Sequence, residues 1–178
     1  MKVVIVGCGR VGSLVAEHYD RAGHRVVVVD ISTRSFDRLP DGFGGNAVRG
    51  NGTDEDVLRR AGAEGADIFL ALTEGDNRNV MAAQIALEHL GATRVVAKVN
   101  DPVRAEAYAA LGLPVLCRTS ILVDSLLGFL GERVEPRPGV IAPTGGHPDP
   151  DGQHAPASAP GSGTASGDGT APAVGREG

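Results

Sequence analysis

The sequence predicts an α/β domain, doubly wound, with a mostly parallel six-stranded sheet, helices on both faces and a disordered C-terminal tail. Three observations carry this reading. Short β-branched and aliphatic runs alternate with stretches of helical spacing over the first 118 residues. A glycine-rich turn joins the first such run to the first helical stretch. The composition then changes near residue 134, where the large aliphatics stop.

The strand candidates are Val3–Val6, Arg25–Val29, Ala47–Arg49, Asp67–Leu72, Arg94–Val99 and Pro114–Cys117. Their near-continuous apolarity suits strands covered on both faces, as in a parallel sheet. The clearest helix runs over Asp76–Leu90, where Val80, Ala83, Leu87 and Leu90 repeat at helical intervals. Gly91 stops it, as Gly23 and Gly62 stop two earlier helices. Asp54 caps a helix opening Glu55-Asp56-Val57-Leu58, and Pro102 sits in the first turn of one that ends at Leu111. Strands alternating with helices in this way define a doubly wound α/β domain.

Ile121–Leu130 is apolar nearly all round, with Asp124, Ser125 and Gly128 left to face water. Such a helix is expected to be covered on more than one side, either by closing the sheet edge or by meeting another subunit. Beyond it, residues 135–178 hold 18 of the chain's 37 Gly and Pro residues. Their large aliphatics are Val140, Ile141 and Val174, too few to offset the entropy of ordering. The expected division is therefore a folded domain over 1–133 and a disordered Pro/Gly/Ser/Ala-rich tail over 134–178.

Charge narrows the function. The net charge of −5 divides into −2 for residues 1–134 and −3 for the remainder, with no basic block. A dedicated nucleic-acid binder would need clustered Lys and Arg, so no nucleic-acid partner is expected. No apolar run reaches the roughly 20 residues that span a bilayer, and the start lacks the longer apolar stretch of a signal peptide. Direct membrane insertion and export are not expected. Cys8 and Cys117 form no CxxC pair, and two free thiols suit a reducing cytoplasm.

Gly7-Cys8-Gly9-Arg10-Val11-Gly12 is a GxGxxG fingerprint placed between the first strand and the first helix, the context that gives the motif meaning. Gly7 permits the tight turn, Gly9 lets a pyrophosphate approach the backbone, and Gly12 lets helix pack on strand. A phosphate would then rest on free N–H groups at a helix N-terminus. The second strand ends at Asp30-Ile31, where a carboxylate can accept both hydroxyls of an adenine ribose. Asp30 disfavours a 2′-phosphate, which points to NAD or ATP rather than NADP, with Arg34 the nearby cation that opposes this. The site is thus that of a Rossmann-type nucleotide-binding domain.

Catalytic groups are harder to find. Tyr19 and Tyr108 are followed four positions later by Gly23 and Gly112, so neither makes a Tyr-x-x-x-Lys pair. His18, His24, His89, His147 and His154 fall at surface or tail positions, and no His/Cys/Asp set has metal-ligand spacing. The expectation is a binding protein rather than an enzyme. A small NAD-dependent oxidoreductase and a nucleotide-binding adaptor for another membrane partner are the alternatives.

The order of motifs resembles a known family. Gly9-Arg10-Val11-Gly12, Asp30, Gly50-Asn51-Gly52-Thr53-Asp54, Ala61-Gly62, Leu72-Thr73 with Asp76 and Asn79, and Lys98-Val99-Asn100-Asp101 run as in TrkA-N domains. These are the N-terminal domains that regulate conductance of K⁺ (RCK domains) in Trk and Ktr uptake systems. The resemblance covers about residues 1–130. It implies a cytoplasmic regulatory subunit, peripheral to the membrane through a K⁺ transporter partner, that senses NAD(H) or ATP/ADP. It also implies a homo-oligomer or pairing with a companion TrkA-like subunit.

The resemblance further implies roles for individual residues. Gly7, Gly9 and Gly12 would cradle phosphates, with Cys8 and Val11 in the same loop, and Asp30 would hold the ribose beside Ile31. Arg10 would reach terminal phosphates, including those of a nucleotide in a neighbouring subunit. Asn51, Gly52, Thr53 and Asp54 would lie beside the adenine, and Thr73 and Asn79 would line the cleft after the fourth strand. Lys98 stands where the family often has Arg. Thr53 and Asp54 also have local roles as helix caps. Family members commonly continue into a second ligand-binding domain where this chain has its tail, so effectors of that second domain are not expected here.

Overall fold

The computed structural model describes residues 1–134, and the expected tail lies, past Val134, outside the described residues. Six strands are present: β1 (Lys2–Val6), β2 (Arg25–Asp30), β3 (Asn46–Arg49), β4 (Ile68–Ala71), β5 (Arg94–Val99) and β6 (Val115–Cys117). They form one sheet in the order β3-β2-β1-β4-β5-β6, and every pairing is parallel. Val4 of β1, for example, sits between Val27 of β2 and Phe69 of β4. A parallel neighbour cannot be reached by a tight hairpin, so each strand but the last is followed by a crossover. The crossovers are α1 (Arg10–Arg21), α2 (Glu55–Arg60), α3 (Asp76–Glu88), α4 (Pro102–Ala110) and, between β2 and β3, a 3₁₀ helix over Thr33–Arg38.

Alternation along the strands feeds two cores. Val3, Ile5, Val26, Val28 and Ile68 point to the face that Ala16 of α1 covers. Val4, Val6, Val27, Val29 and Phe69 point to the other, against Leu58 of α2 and Val80, Ala83 and Ala86 of α3. Phe69, Ile5 and Leu58 are fully buried. Full burial of side chains of this size stabilises by roughly 1.5–3 kcal/mol each.

The expected turns and caps are in place. Gly23, Gly62 and Gly91 have φ of 77°, 79° and 62°, the left-handed conformation that glycine adopts without a steric cost. Asp54 Oδ1 accepts from the Val57 N–H at 3.2 Å. The structure adds a cap that the sequence reading did not name, Asp101 at the start of α4 just before Pro102.

Two details differ from the sequence reading. On α3 the buried stripe is Asn79, Val80, Ala82, Ala83 and Ala86, while Leu87 is exposed. Small side chains let this helix lie close to the sheet, and the stripe rotates toward the alanines. The last apolar segment forms α5 (Arg118–Phe129), but Leu122, Leu126, Phe129 and Leu130 are exposed and Ser120 is its buried residue. Cys117 ends β6 and also serves as the N-cap of α5, so no loop separates strand from helix. A helix usually needs a few connecting residues to fold back over its strand. Without them α5 does not close the sheet.

Candidate nucleotide-binding site

In an open α/β sheet, ligands bind beyond the carboxyl ends of the strands where the strand order reverses. Here that point lies between β1 and β4. A cleft of about 320 Å³ opens there, lined by the ends of β1 and β2, by Gly50–Gly52 after β3, and by Leu72, Thr73 and Glu74 after β4. That volume is in the range of small-molecule sites.

The glycine loop is shaped by close approaches. Gly7 has φ of 105° and packs on the chain after β4, where an added Cβ would stand 2.8 Å from the Thr73 nitrogen. Gly12 lies beneath the loop, and its Cβ would stand 2.0 Å from the Gly7 oxygen. Gly9 is different, because an added Cβ there would meet nothing within 4 Å. That open space above the first turn of α1, with no side chain capping the helix, fits a phosphate group approaching the backbone.

Asp30 is half-buried and lines the cleft. Its Oδ2 accepts from the Cys8 N–H at 2.8 Å and its Oδ1 from the Ser32 N–H at 2.8 Å. The carboxylate thus ties the glycine loop to the end of β2. Burial, then the charge of Asp30, pushes the buried Cys8 thiol up to about 11, with Arg38 opposing.

The structure brings together Gly7, Gly9, Asp30, Ile31, Asn51, Gly52 and Thr73 along the cleft. The other sequence candidates have different surroundings. Cys8 is buried, and Arg10 and Val11 are exposed on α1 outside the lining. Thr53 donates to Asn51 Oδ1 through both its N–H (3.1 Å) and its hydroxyl (3.0 Å), and Asp54 is the cap of α2. Asn79 is fully buried, accepting from the Thr73 N–H at 2.8 Å and hydroxyl at 2.7 Å. Its amide nitrogen donates to the carbonyls of Thr73 (2.9 Å) and Lys98 (2.8 Å). Asn79 therefore shapes the cleft wall by clamping the end of β4 to β5. Lys98 is buried, and desolvation pulls its amine below the ordinary lysine value, against the charges of Glu74 and Asp76.

Sequence reasoning missed Ser35, Arg38, Glu74 and Arg78, all of which line the cleft. Arg38 and Arg78 have no ion pair or hydrogen bond among the described residues. Among the described residues no His/Cys/Asp/Glu group could hold a metal ion, and no helix is long and apolar enough to cross a membrane.

The strand order, the glycine loop beneath the cleft and the acid at the end of β2 define a Rossmann-type α/β domain. The chain belongs to the TrkA-N domain family, whose model matches residues 3–118. A relative from Streptomyces coelicolor, "Trk system potassium uptake protein TrkA", is 46% identical over 127 residues, covering 71% of this chain and 57% of that protein. The chain thus spans little more than half the length of that relative. Among solved structures, the TrkA-N domain of the inner membrane protein ybaL from Escherichia coli is similar, with a TM-score of 0.64 and 22% identity. That likeness covers 72% of this chain and 96% of the other. The GsuK channel bound to NAD matches with a TM-score of 0.58 and 22% identity over 71% of this chain and 23% of that one. At these identities the structures show the shared fold.

Proposed function

We propose that this chain is a cytoplasmic, nucleotide-binding regulatory subunit of a Trk/Ktr-type K⁺ uptake transporter, gating transport in response to NAD(H) or ATP/ADP. The observation that carries the reading is the cleft at the β1/β4 reversal, where Gly7, Gly9 and Asp30 converge. The S. coelicolor relative, named for Trk potassium uptake, supports the choice of transport system. In this reading the glycine loop holds the diphosphate, Asp30 and Asn51 flank the adenosine half, and Thr73 faces the remainder. In this reading Arg10, which is exposed and outside the cleft lining, serves a nucleotide held by a neighbouring copy or companion subunit. A ligand can shift the assembly only through different affinities for its two arrangements.

The test is purification of the tagged chain from native membranes with NADH, NAD, ATP or ADP present in turn. A K⁺ transporter should co-purify in amounts that depend on the nucleotide. Recovery that is the same with every nucleotide would refute gating. Turnover of NADH against a panel of carbonyl substrates would instead support the oxidoreductase alternative.

A further inference from the structure

Resting on the reading that the cleft holds an adenine nucleotide, we infer that its ribose end accepts a 2′-phosphate, so that NADP(H) belongs among its ligands. The inference starts from the 3₁₀ helix Thr33–Arg38, three residues beyond the end of β2. Three residues complete one turn of a 3₁₀ helix, so side chains at i and i+3 eclipse. Ser35 and Arg38 are such a pair, and both line the cleft beside Asp30 and Ile31. The Ser35 hydroxyl and the Arg38 guanidinium make no hydrogen bond or ion pair among the described residues.

Asp30 is the group that would repel a phosphate here, and its oxygens are engaged with the backbone N–H groups of Cys8 and Ser32. Those N–H dipoles offset part of its charge and direct the carboxylate to the loop it holds. Arg38 is close enough to this corner to counter the effect of Asp30 on the Cys8 thiol. A plain ribose offers no charge for a guanidinium to meet. A phosphate ester on the 2′ oxygen does, and a planar fork with a hydroxyl beside it matches its oxygens. An arginine near the end of β2 is the element that accommodates this phosphate in doubly wound folds. The sequence expectation against NADP weighed Asp30 against Arg34. Arg34 does not line the cleft, whereas Arg38 does.

The experiment titrates 5′-AMP, 2′,5′-ADP, NADH and NADPH into the intact chain and its Arg38→Ala and Arg38→Lys variants. Wild type should bind 2′,5′-ADP at least as tightly as 5′-AMP. Arg38→Ala should weaken 2′,5′-ADP and NADPH by roughly 10- to 100-fold, the scale of charge-assisted hydrogen bonds. It should weaken 5′-AMP and NADH by less than about threefold, with Arg38→Lys between. Arg38 is exposed, so the variants should melt as wild type does. The inference is overturned if wild type prefers 5′-AMP by about tenfold or more, or if Arg38→Ala weakens all four ligands equally. In that case binding of 5′-AMP and NADH leaves the nucleotide reading standing. If neither they nor ATP and ADP, titrated into wild type alongside, bind, both fail.

Discussion

The backbone N–H of Cys8 donates to Asp30 Oδ2 at 2.8 Å, joining the glycine loop to the end of β2 across 22 residues of sequence. One side chain therefore shapes the loop that would hold a diphosphate and faces the place where a ribose would sit. Under the proposed function, binding and loop order would be coupled through it.

Asp30→Ala should accordingly have two effects. Adenine nucleotides should bind more weakly by about 1–3 kcal/mol, the scale for polar groups left without partners. The melting temperature should also fall, because the N–H groups of Cys8 and Ser32 both lose their acceptor. Calorimetric titration and thermal melts measure the two separately. A lower melting temperature with unchanged affinity for every nucleotide would leave Asp30 as a loop tie alone.

Asn79→Ala tests the clamp between β4 and β5. Four hydrogen bonds of 2.7–2.9 Å end on this buried amide. Removing it leaves the Thr73 and Lys98 backbone groups unsatisfied at about 1–3 kcal/mol each, and opens a cavity. A loss of at least about 2 kcal/mol in denaturant unfolding is expected. Asn79 differs here from a simple ligand contact, whose removal would lower affinity and leave stability unchanged.

The strands, the glycine loop and the cap at Asp54 were legible because each rests on local chemistry. Apolar runs mark doubly covered strands such as β1 and β2, and side-chain oxygens mark helix starts. β3, at the sheet edge, is instead largely exposed, contrary to the expectation of cover on both faces. The cleft wall was less legible. Thr33–Arg38 carries no apolar period, so nothing in the sequence marked that Ser35 and Arg38 would eclipse and face one side. Asn79 and Lys98 stand at site positions in the family's order of motifs. What the sequence could not give is their long-range hydrogen bonding and burial, which depend on β4 and β5 lying side by side.

Acid stability should report on Glu55. Hydrogen bonds from His89 Nδ1 (2.6 Å) and Arg59 hold its carboxyl below the ordinary 4.5. Its folded value is depressed, so the stabilisation is present above pH 4.5 and is lost as pH falls through the folded value. Glu55→Gln should therefore melt lower than wild type near neutral pH, and the gap should narrow below pH 4.5. A gap constant across pH 3–7 would show that ionisation of Glu55 plays no part.

The last prediction concerns α5, whose exposed side chains include Leu126 and Phe129, the latter 89% accessible. Within the described residues Phe129 buries almost nothing and Leu126 is about half covered, so making them polar removes a modest apolar contact from the chain itself. Leu126→Asp with Phe129→Glu should leave the melting temperature of the dilute monomer within about 2 °C of wild type, because surface changes usually cost under about 0.5 kcal/mol. Exposed apolar patches of this kind mark interaction surfaces. If a second copy covers this face, wild type should melt at higher temperature as concentration rises, since association stabilises the folded form by mass action. The double variant should lose that dependence. Sedimentation across a range of concentrations, with melts on the same samples, separates the cases. A double variant destabilised equally at every concentration would mean that α5 packs on its own domain, contrary to the exposure seen here.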